Sequence, residues 1–343
     1  MKRNLLLLAV IIMSMVVVGC VESGETPGPT PPEKRPMLTF SGGTVGGASN
    51  LRATAWAGVA YEFCGIDATV IAWPSVTQVI AVQEGMAEVA MAYQFLNELA
   101  YSGEGILEPH EPWTDLRCFW YDSPSQLTLL APVGSPIKSW RDIVGKRVAA
   151  GKKGFTSEYQ FGVLIDALGI DRNSFEQLYL SDKEAGAALV AGKLDAAVTS
   201  TLPHPAYTEV DLLHPLTVVS MSEQEQKDVM AATTWYEPVA APPNWYHMTE
   251  VAVSMSMPHG QVTHKRVSED LVYCIVKNYM EHPEFVGYFS ARMQEDIESG
   301  AVRKWCETIN EIPWHAGAIR YMEEQGWDYL RSRIPPESEY YGT

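Results

Sequence analysis

The chain has 343 residues, a formal net charge of −17 and five cysteines. That length allows one large or two medium domains, and the acidity disfavours nucleic acid, whose phosphates need a basic face, and polybasic docking on a membrane. No C-x-x-C pair and no His/Cys cluster with zinc spacing occurs, so neither a metal nor a cofactor is expected.

Lys2 and Arg3 open the chain, and an apolar run follows from Leu5 to Val18. The run is too short to span about 30 Å of hydrocarbon at roughly 1.5 Å per residue, and it suits the apolar centre of a secretory leader. Gly19-Cys20 then resembles a lipoprotein processing box, in which the thiol is lipidated and becomes the new N-terminus. An uncleaved anchor is the competing reading. Val21 to Pro36 carries five prolines and almost no apolar side chains, which predicts a semi-extended spacer. Residues 1–19 are thus read as a signal peptide and 20–36 as a lipidated Cys20 with its linker. The body is expected to be exported and tethered to the outer face of the cytoplasmic membrane, as a monomer.

Beyond the spacer, strand and helix signals alternate, which predicts an α/β fold. Met37–Phe40 reads as a strand, Leu51–Phe63 as a helix, Asp67–Trp73 as a strand and Ser75–Glu84 as a helix stopped by Gly85. Glu88–Tyr93 is a strand, and Gln94–Tyr101 a helix ended by Ser102-Gly103. Leu116–Tyr121 and Gln126–Ala131 are expected as two strands around an Asp122-Ser123-Pro124-Ser125 turn. Strands follow at Lys146–Ala150, Phe175–Leu180, Leu194–Thr199 and Leu216–Met221. Between them lie a helix at Glu158–Leu168 and one opened by the Ser181…Glu184 capping box. Val251–Met257 is strand-like, Ser268–Met280 is helical, and further helices run to Arg331.

Two glycine-bearing loops join strands to helices. Ser41-Gly42-Gly43-Thr44-Val45-Gly46-Gly47 precedes the first helix, and Gly151-Lys152-Lys153-Gly154-Phe155-Thr156-Ser157 precedes a later one, which Thr156 or Ser157 can cap. Backbone amides at a helix start favour anions. A plain turn is the alternative for the first loop. A solvated charged loop is the alternative for the second, where Lys146, Arg147, Lys152 and Lys153 form a basic patch. Neither loop matches the dinucleotide or phosphate-loop fingerprint. No H-E-x-x-H, G-x-S-x-G or paired nucleophile appears, so no catalytic residue is assigned. Asp195 reads as a structural carboxylate. Trp73, Tyr93, Trp120 and Tyr121 could stack on a ligand, with core packing the alternative. Cys64, Cys118, Cys274 and Cys306 allow disulfides or buried thiols without a choice between them.

Five stretches, in order, resemble the TAXI solute receptors of tripartite ATP-independent periplasmic (TRAP) transporters: LTFSGGTVGG, VQEGMAEVAMAYQFLNELAYSG, GSPIKSWRDIVGKRVAAGKKGFTSE, AGKLDAAVTSTLPHPA and IPWHAGAIRYMEEQGW. They extend from about Leu38 to Trp327. The resemblance implies a type II periplasmic-binding-protein fold: two α/β lobes joined by a hinge, with a ligand cleft between them. The lobes would be 37–131 with 241–343, and 132–240. The implied ligand residues are Gly43, Thr44, Gly47, Ser75, Gln94, Gly154, Thr156 and Ser157. The implied ligand is a small anionic or zwitterionic solute, glutamate-like or 2-oxoglutarate-like, and the implied partner is an integral-membrane TRAP permease. Ala48-Ser49-Asn50 replaces the family's usual tyrosine pair, and Lys153 and Phe155 stand where small residues are usual. An enzyme on this fold, a sensory input protein and a receptor for an ATP-driven (ABC) transporter are the rival readings.

Overall fold

A computed structural model describes residues 35–43, 45–104, 110–200, 202–233, 235–241, 243, 245–309, 312–329 and 334–335. The expected leader, Cys20 and most of the expected spacer lie outside the described residues. In chain order the first elements are β1 (Met37–Gly42), α1 (Ala48–Cys64), β2 (Asp67–Ala72), α2 (Ser75–Gln83), β3 (Val89–Ala90), α3 (Gln94–Ser102) and β4 (Leu116–Pro132). A 3-10 turn at Trp140–Ile143 leads to β5 (Arg147–Ala149), α4 (Thr156–Ala167), β6 (Glu176–Leu178), α5 (Asp182–Val190), β7 (Ala196–Thr199), α6 (Pro205–Asp211), β8 (Leu216–Val219), α7 (Glu223–Ala232) and β9 (Glu237–Ala241). The chain closes with β10 (Ala252–His264), α8 (Glu269–Glu281), α9 (Pro283–Gly287), α10 (Ala291–Glu298), α11 (Ala301–Thr308) and α12 (Ala316–Glu324). Among the described residues no helix is long and apolar enough to cross a membrane.

The strands form one mixed sheet of order β2-β1-β3-β10-β4-β7-β5-β6, with β8 beside β4 and β9 beside β10. One half is the parallel set β2-β1-β3, the other the parallel set β6-β5-β7. Two long antiparallel strands, β4 and β10, run through both halves and join them. This is the α/β periplasmic-binding-protein fold that the resemblance implied.

The expected hairpin at 116–131 is instead a single strand. Its turn-like residues remain in β4 because they face an irregularity in β10. Met257 pairs with Ser125 and His259 with Asp122, which leaves Ser123 and Pro124 opposite Pro258. A bulge tolerates residues without a donor N–H, so the two prolines sit where the ladder is already interrupted. The Asp-Ser-Pro-Ser signal marks a crossing point, not a reversal. The predicted Glu88–Tyr93 strand shrinks to two residues, and α7 and β9 were not anticipated.

In the first half, α1 is buried over Ala53, Ala55, Trp56, Val59 and Ala60 between the sheet and α8. Trp56 stacks on Tyr279 of α8 at 3.7 Å and meets Phe119 of β4 edge-on at 5.1 Å. A Cys64–Cys274 disulfide ties the end of α1 to α8, while Cys118 and Cys306 are buried thiols. Burial pushes the Cys306 thiol well up. Trp120 and Tyr121 pack against Trp314 in the core. The Ser181…Glu184 capping box is formed, and Asp195 accepts from the Arg147 amide at 2.8 Å while pairing with its guanidinium.

Candidate functional site

The site is built where the two halves meet at the strand crossing. Arg52 lies in the first turns of α1, and Trp56 stands one turn further along the same face. Both reach the crossing: Arg52 Nε is 3.0 Å from Asp122 Oδ1, Arg52 Nη2 donates to the Ser123 carbonyl at 2.9 Å, and Trp56 Nε1 donates to Asp122 Oδ2 at 3.3 Å. Arg52 is 7 % exposed and Asp122 fully buried. Burial raises the Asp122 carboxyl to about 6, against the pull of the Arg52 charge and the Trp56 hydrogen bond. Nη1 of Arg52 is buried without a hydrogen-bond partner among the described residues.

Arg52 is one of the residues lining a cavity of about 430 Å³. The first half contributes Ala48, Leu51 and Arg52 from α1 and the opening turn of α10. The crossing contributes Ser123, Pro124 and Gln126; Ser200, Leu202, Pro203, Val239 and Trp245 complete the wall. Trp245 is held by its successors. Tyr246 adopts a left-handed backbone (φ 53°) and its hydroxyl accepts from the His204 amide at 3.0 Å; His247 Nδ1 lies 2.8 Å from Asp211 Oδ1. The volume falls in the range of small-molecule sites, which are mainly apolar with a few fixed polar groups.

Beside the cavity the seam is closed. Ser75 opens α2 and Thr156 opens α4, on opposite halves, and the Thr156 hydroxyl donates to that of Ser75. Phe95 of α3 stacks on Tyr159 of α4 at 4.8 Å and lies 5.5 Å from Trp235, whose Nε1 donates to Glu98 at 2.9 Å. Gln94 and Gln160 are buried here, and Gln94 Oε1 and both amide atoms of Gln160 lack partners among the described residues. Tyr93 joins this inner layer, 4.1 Å from the His259 ring. Burial raises the Tyr93 phenol, against Arg52 and hydrogen bonds to Ser125 and Ser200, and burial with the nearby Arg52 charge depresses the His259 imidazole well below its ordinary value.

The sequence-predicted residues therefore fall in different places. Ser75 and Thr156 touch, and Gln94 lies in the buried layer. Gly47 is the N-cap of α1, its carbonyl accepting from Asn50 and Leu51 at 3.0 Å, next to Ala48 on the cavity wall. Gly43 lies in the loop before it, and Thr44 lies outside the described residues. Gly154 donates its amide to Glu158 Oε2 at 2.7 Å. Ser157 packs under Gly151, where a Cβ would come within 2.0 Å of its Oγ. Neither Thr156 nor Ser157 caps α4: Phe155 holds the N-cap position and Thr156 is already helical. Lys152 and Lys153 are exposed, with Lys153 over the Tyr179 ring at 5.9 Å. Among the described residues no cluster of three His, Cys, Asp or Glu could hold a metal.

Arg52, Gln126, Ser200 and Trp245 were not anticipated. Arg52 had a signal: it is one of two charges, with Glu62, in the apolar stretch Leu51–Phe63 of an acidic chain.

Several solved structures are similar to this chain at low sequence identity. The alkanesulfonate-binding protein SsuA from Xanthomonas axonopodis pv. citri, bound to MOPS, is 15% identical over 78% of this chain and 84% of that one, with a TM-score of 0.43. A putative sulfonate ABC transporter periplasmic binding protein SsuA from Methylobacillus flagellatus KT is 14% identical over 88% and 92%, with a TM-score of 0.48. A TctC solute-binding protein from Polaromonas is 13% identical over 77% and 90%, also with a TM-score of 0.48. The model of the NMT1-like family matches residues 53–326, well over half of the sequence, and the chain belongs to that family.

Proposed function

We propose that this chain is the extracytoplasmic receptor of a TRAP-type secondary transporter, of the TAXI kind. It captures a small organic acid or amino acid between two lobes and hands it to a membrane permease, with Cys20 as the lipid tether. The observation that carries the reading is the cavity at the crossing of β4 and β10, with Arg52 and Arg292 among its lining residues. A cationic group held in a mostly apolar hollow binds a carboxylate by charge-assisted hydrogen bonds, each worth about 1.5–3 kcal/mol net.

In this reading the lobes are 37–131 with 241–343, and 132–240. They bend at Ser123-Pro124 and Pro258, where both connecting strands are irregular. Closure is a population shift, so the solute must touch both lobes. Thr156 and Ser75 form the latch of the closed state. No covalent step is involved.

Two measurements test the reading. Calorimetry of the full chain against a panel of organic acids and amino acids should give micromolar binding, about −8 kcal/mol. Transport by the receptor with its permease in proteoliposomes should follow an imposed ion gradient without ATP. Uptake that requires ATP would assign the chain to an ABC transporter, and the absence of any bound solute would overturn the receptor reading.

A further inference from the structure

Beside the cavity, the two halves are held together by the protein's own side chains. Thr156, Tyr159 and Gln160 stand at helical spacing on one face of α4, and that face meets the first half. Thr156 donates to Ser75 of α2, and Tyr159 stacks on Phe95 of α3 at 4.8 Å. Phe95 in turn lies 5.5 Å from Trp235, whose Nε1 donates to Glu98 of α3 at 2.9 Å. None of these side chains lines the cavity at the strand crossing. Glu98 and Trp235 border a separate hollow of about 250 Å³, with Met230 and Thr233.

The same layer contains groups that oppose closure. Gln160 is 1 % exposed, and neither its Oε1 nor its Nε2 has a hydrogen-bond partner among the described residues. Gln94 Oε1 is likewise buried and unpartnered, as is the hydroxyl of Tyr236, the residue after Trp235. A buried amide without a partner has given up its water for nothing, so these groups favour separation of the halves, which would wet them. The stacked rings and the charge-assisted bond to Glu98 favour contact. The seam is therefore a balance between two sets of named groups.

We propose that Phe95, Glu98, Tyr159 and Trp235 form a clasp, opposed by the unpaired Gln160 amide, that sets how readily the halves close and hence how tightly every solute is held. They are positioning residues and do not touch the solute. This inference rests on the receptor reading and goes beyond its Thr156–Ser75 latch. It has two signatures that a direct solute contact lacks. Variants change the affinities of chemically different solutes by a common factor, and substitutions on the two sides of the balance act in opposite directions.

The test uses the full chain, freed of co-purified solute by unfolding and refolding. Calorimetry with L-glutamate, 2-oxoglutarate and L-leucine reads affinity, and small-angle X-ray scattering of the free chain reads the separation of the halves. Trp235→Phe keeps a ring but removes the donor to Glu98, and should weaken all three probes about tenfold. Glu98→Gln, which keeps an acceptor, should weaken them less than Glu98→Ala. Gln160→Met has a similar volume and removes the unpaired amide; it should tighten all three about tenfold and lower the free chain's radius of gyration towards the solute-bound value. Tightening cannot arise from misfolding, so Gln160→Met decides the matter even if Trp235→Phe folds poorly. Factors that differ among the probes, or weaker binding by Gln160→Met, would put these side chains on the solute and overturn the clasp while leaving the receptor reading in place. Unchanged affinities with unchanged scattering would do the same. Binding of none of the probes, with Gln160→Met still compacting the free chain, would count against the receptor reading and leave the clasp standing; no binding and no compaction would overturn both.

Discussion

The two glycine-bearing elbows, Gly42–Gly47 ahead of α1 and Gly151–Gly154 ahead of α4, share a plan and differ in what they present. Each ends a parallel strand and starts a helix at the seam. At the first, β1 and α1 approach so closely that a Cβ on Gly42 would lie 2.8 Å from the Asn50 Cα. The helix start carries no acidic side chain, and Arg52 projects from its second turn to the crossing strands. At the second, Glu158 takes the Gly154 amide and places a carboxylate in the first turn of α4. Thr156 meets Ser75 across the seam. Among the described residues the first helix start has no side-chain cap and no carboxylate in its first turn, while the second has Glu158. A glycine loop before a helix is thus not by itself an anion site; what decides is whether the chain supplies its own acceptor.

The largest expected effect breaks the first elbow. Arg52→Met leaves the buried Asp122 carboxylate without its counter-charge, which typically costs about 3–5 kcal/mol. The pH dependence gives a second handle. The Asp122 carboxyl lies at about 6 when folded, above its ordinary value of 3.8, and Arg52 holds it lower than burial alone would. The folded state binds this proton more tightly than the unfolded chain, so the group's contribution to stability falls as pH rises from about 4 to 6, by at most roughly 1.4 kcal/mol per unit. Without Arg52 the folded value rises further and the loss continues above pH 6. Urea denaturation should show the variant's deficit larger at pH 8 than at pH 5. A deficit independent of pH would mean that the ion pair does not anchor this elbow.

Next comes the steric asymmetry at the second elbow. Gly151 has φ 87° and no room for a Cβ, whereas Gly154 has φ 79° and nothing within 4 Å of where one would stand. Gly154→Ala should cost about 1–2 kcal/mol for the left-handed backbone alone. Gly151→Ala should cost about 1–3 kcal/mol more, because Ser157 must also be displaced. Equal losses in denaturant melts would show that Ser157 moves aside freely.

The contrast between the elbows was only partly visible beforehand. The strand–loop–helix order was legible because β-branched strands, period-3.6 apolar faces and glycine stops are local signals, as the Ser181…Glu184 box illustrates. Ser222…Glu225 forms the same box in the structure and opens α7, but the helix Glu223–Ala232 it begins is too polar to show an apolar stripe. The Asp-Ser-Pro-Ser turn misled for the opposite reason: its composition is that of a reversal, and only Pro258, far along the chain, makes it part of a strand. Arg52 depends likewise on Asp122 and Ser123, which no spacing rule connects to it. Ser75 and Thr156 meet across a similar separation, and resemblance, not periodicity, pointed to both.

A smaller effect is expected where the elbows meet. Thr156→Ala removes the hydroxyl contact to Ser75 and leaves both helices intact. One neutral hydrogen bond contributes about 1 kcal/mol, so folding stability should change by no more than that. In the receptor reading the loss falls on the closed state, and solute affinity should weaken about fivefold. Ser75→Ala should do the same, and the double variant should be no worse than either, since both remove one contact. Additive losses in calorimetry would mean that each hydroxyl has a separate partner when solute is bound.

The smallest effect sharpens the comparison most directly. Glu158→Gln keeps an acceptor for the Gly154 amide and removes the negative charge at the start of α4. Loss of a carboxylate from a first helical turn costs about 0.3–1 kcal/mol. If this charge is what keeps the second elbow from attracting anions, the variant should bind sulfate or chloride there weakly. That binding would appear as amide chemical-shift changes at Gly154 and Phe155 during a salt titration, with none in the parent protein. Shifts of equal size in both would show that the carboxylate does not set the difference between the elbows, and the cause would then lie in the second elbow's close packing against Ser75.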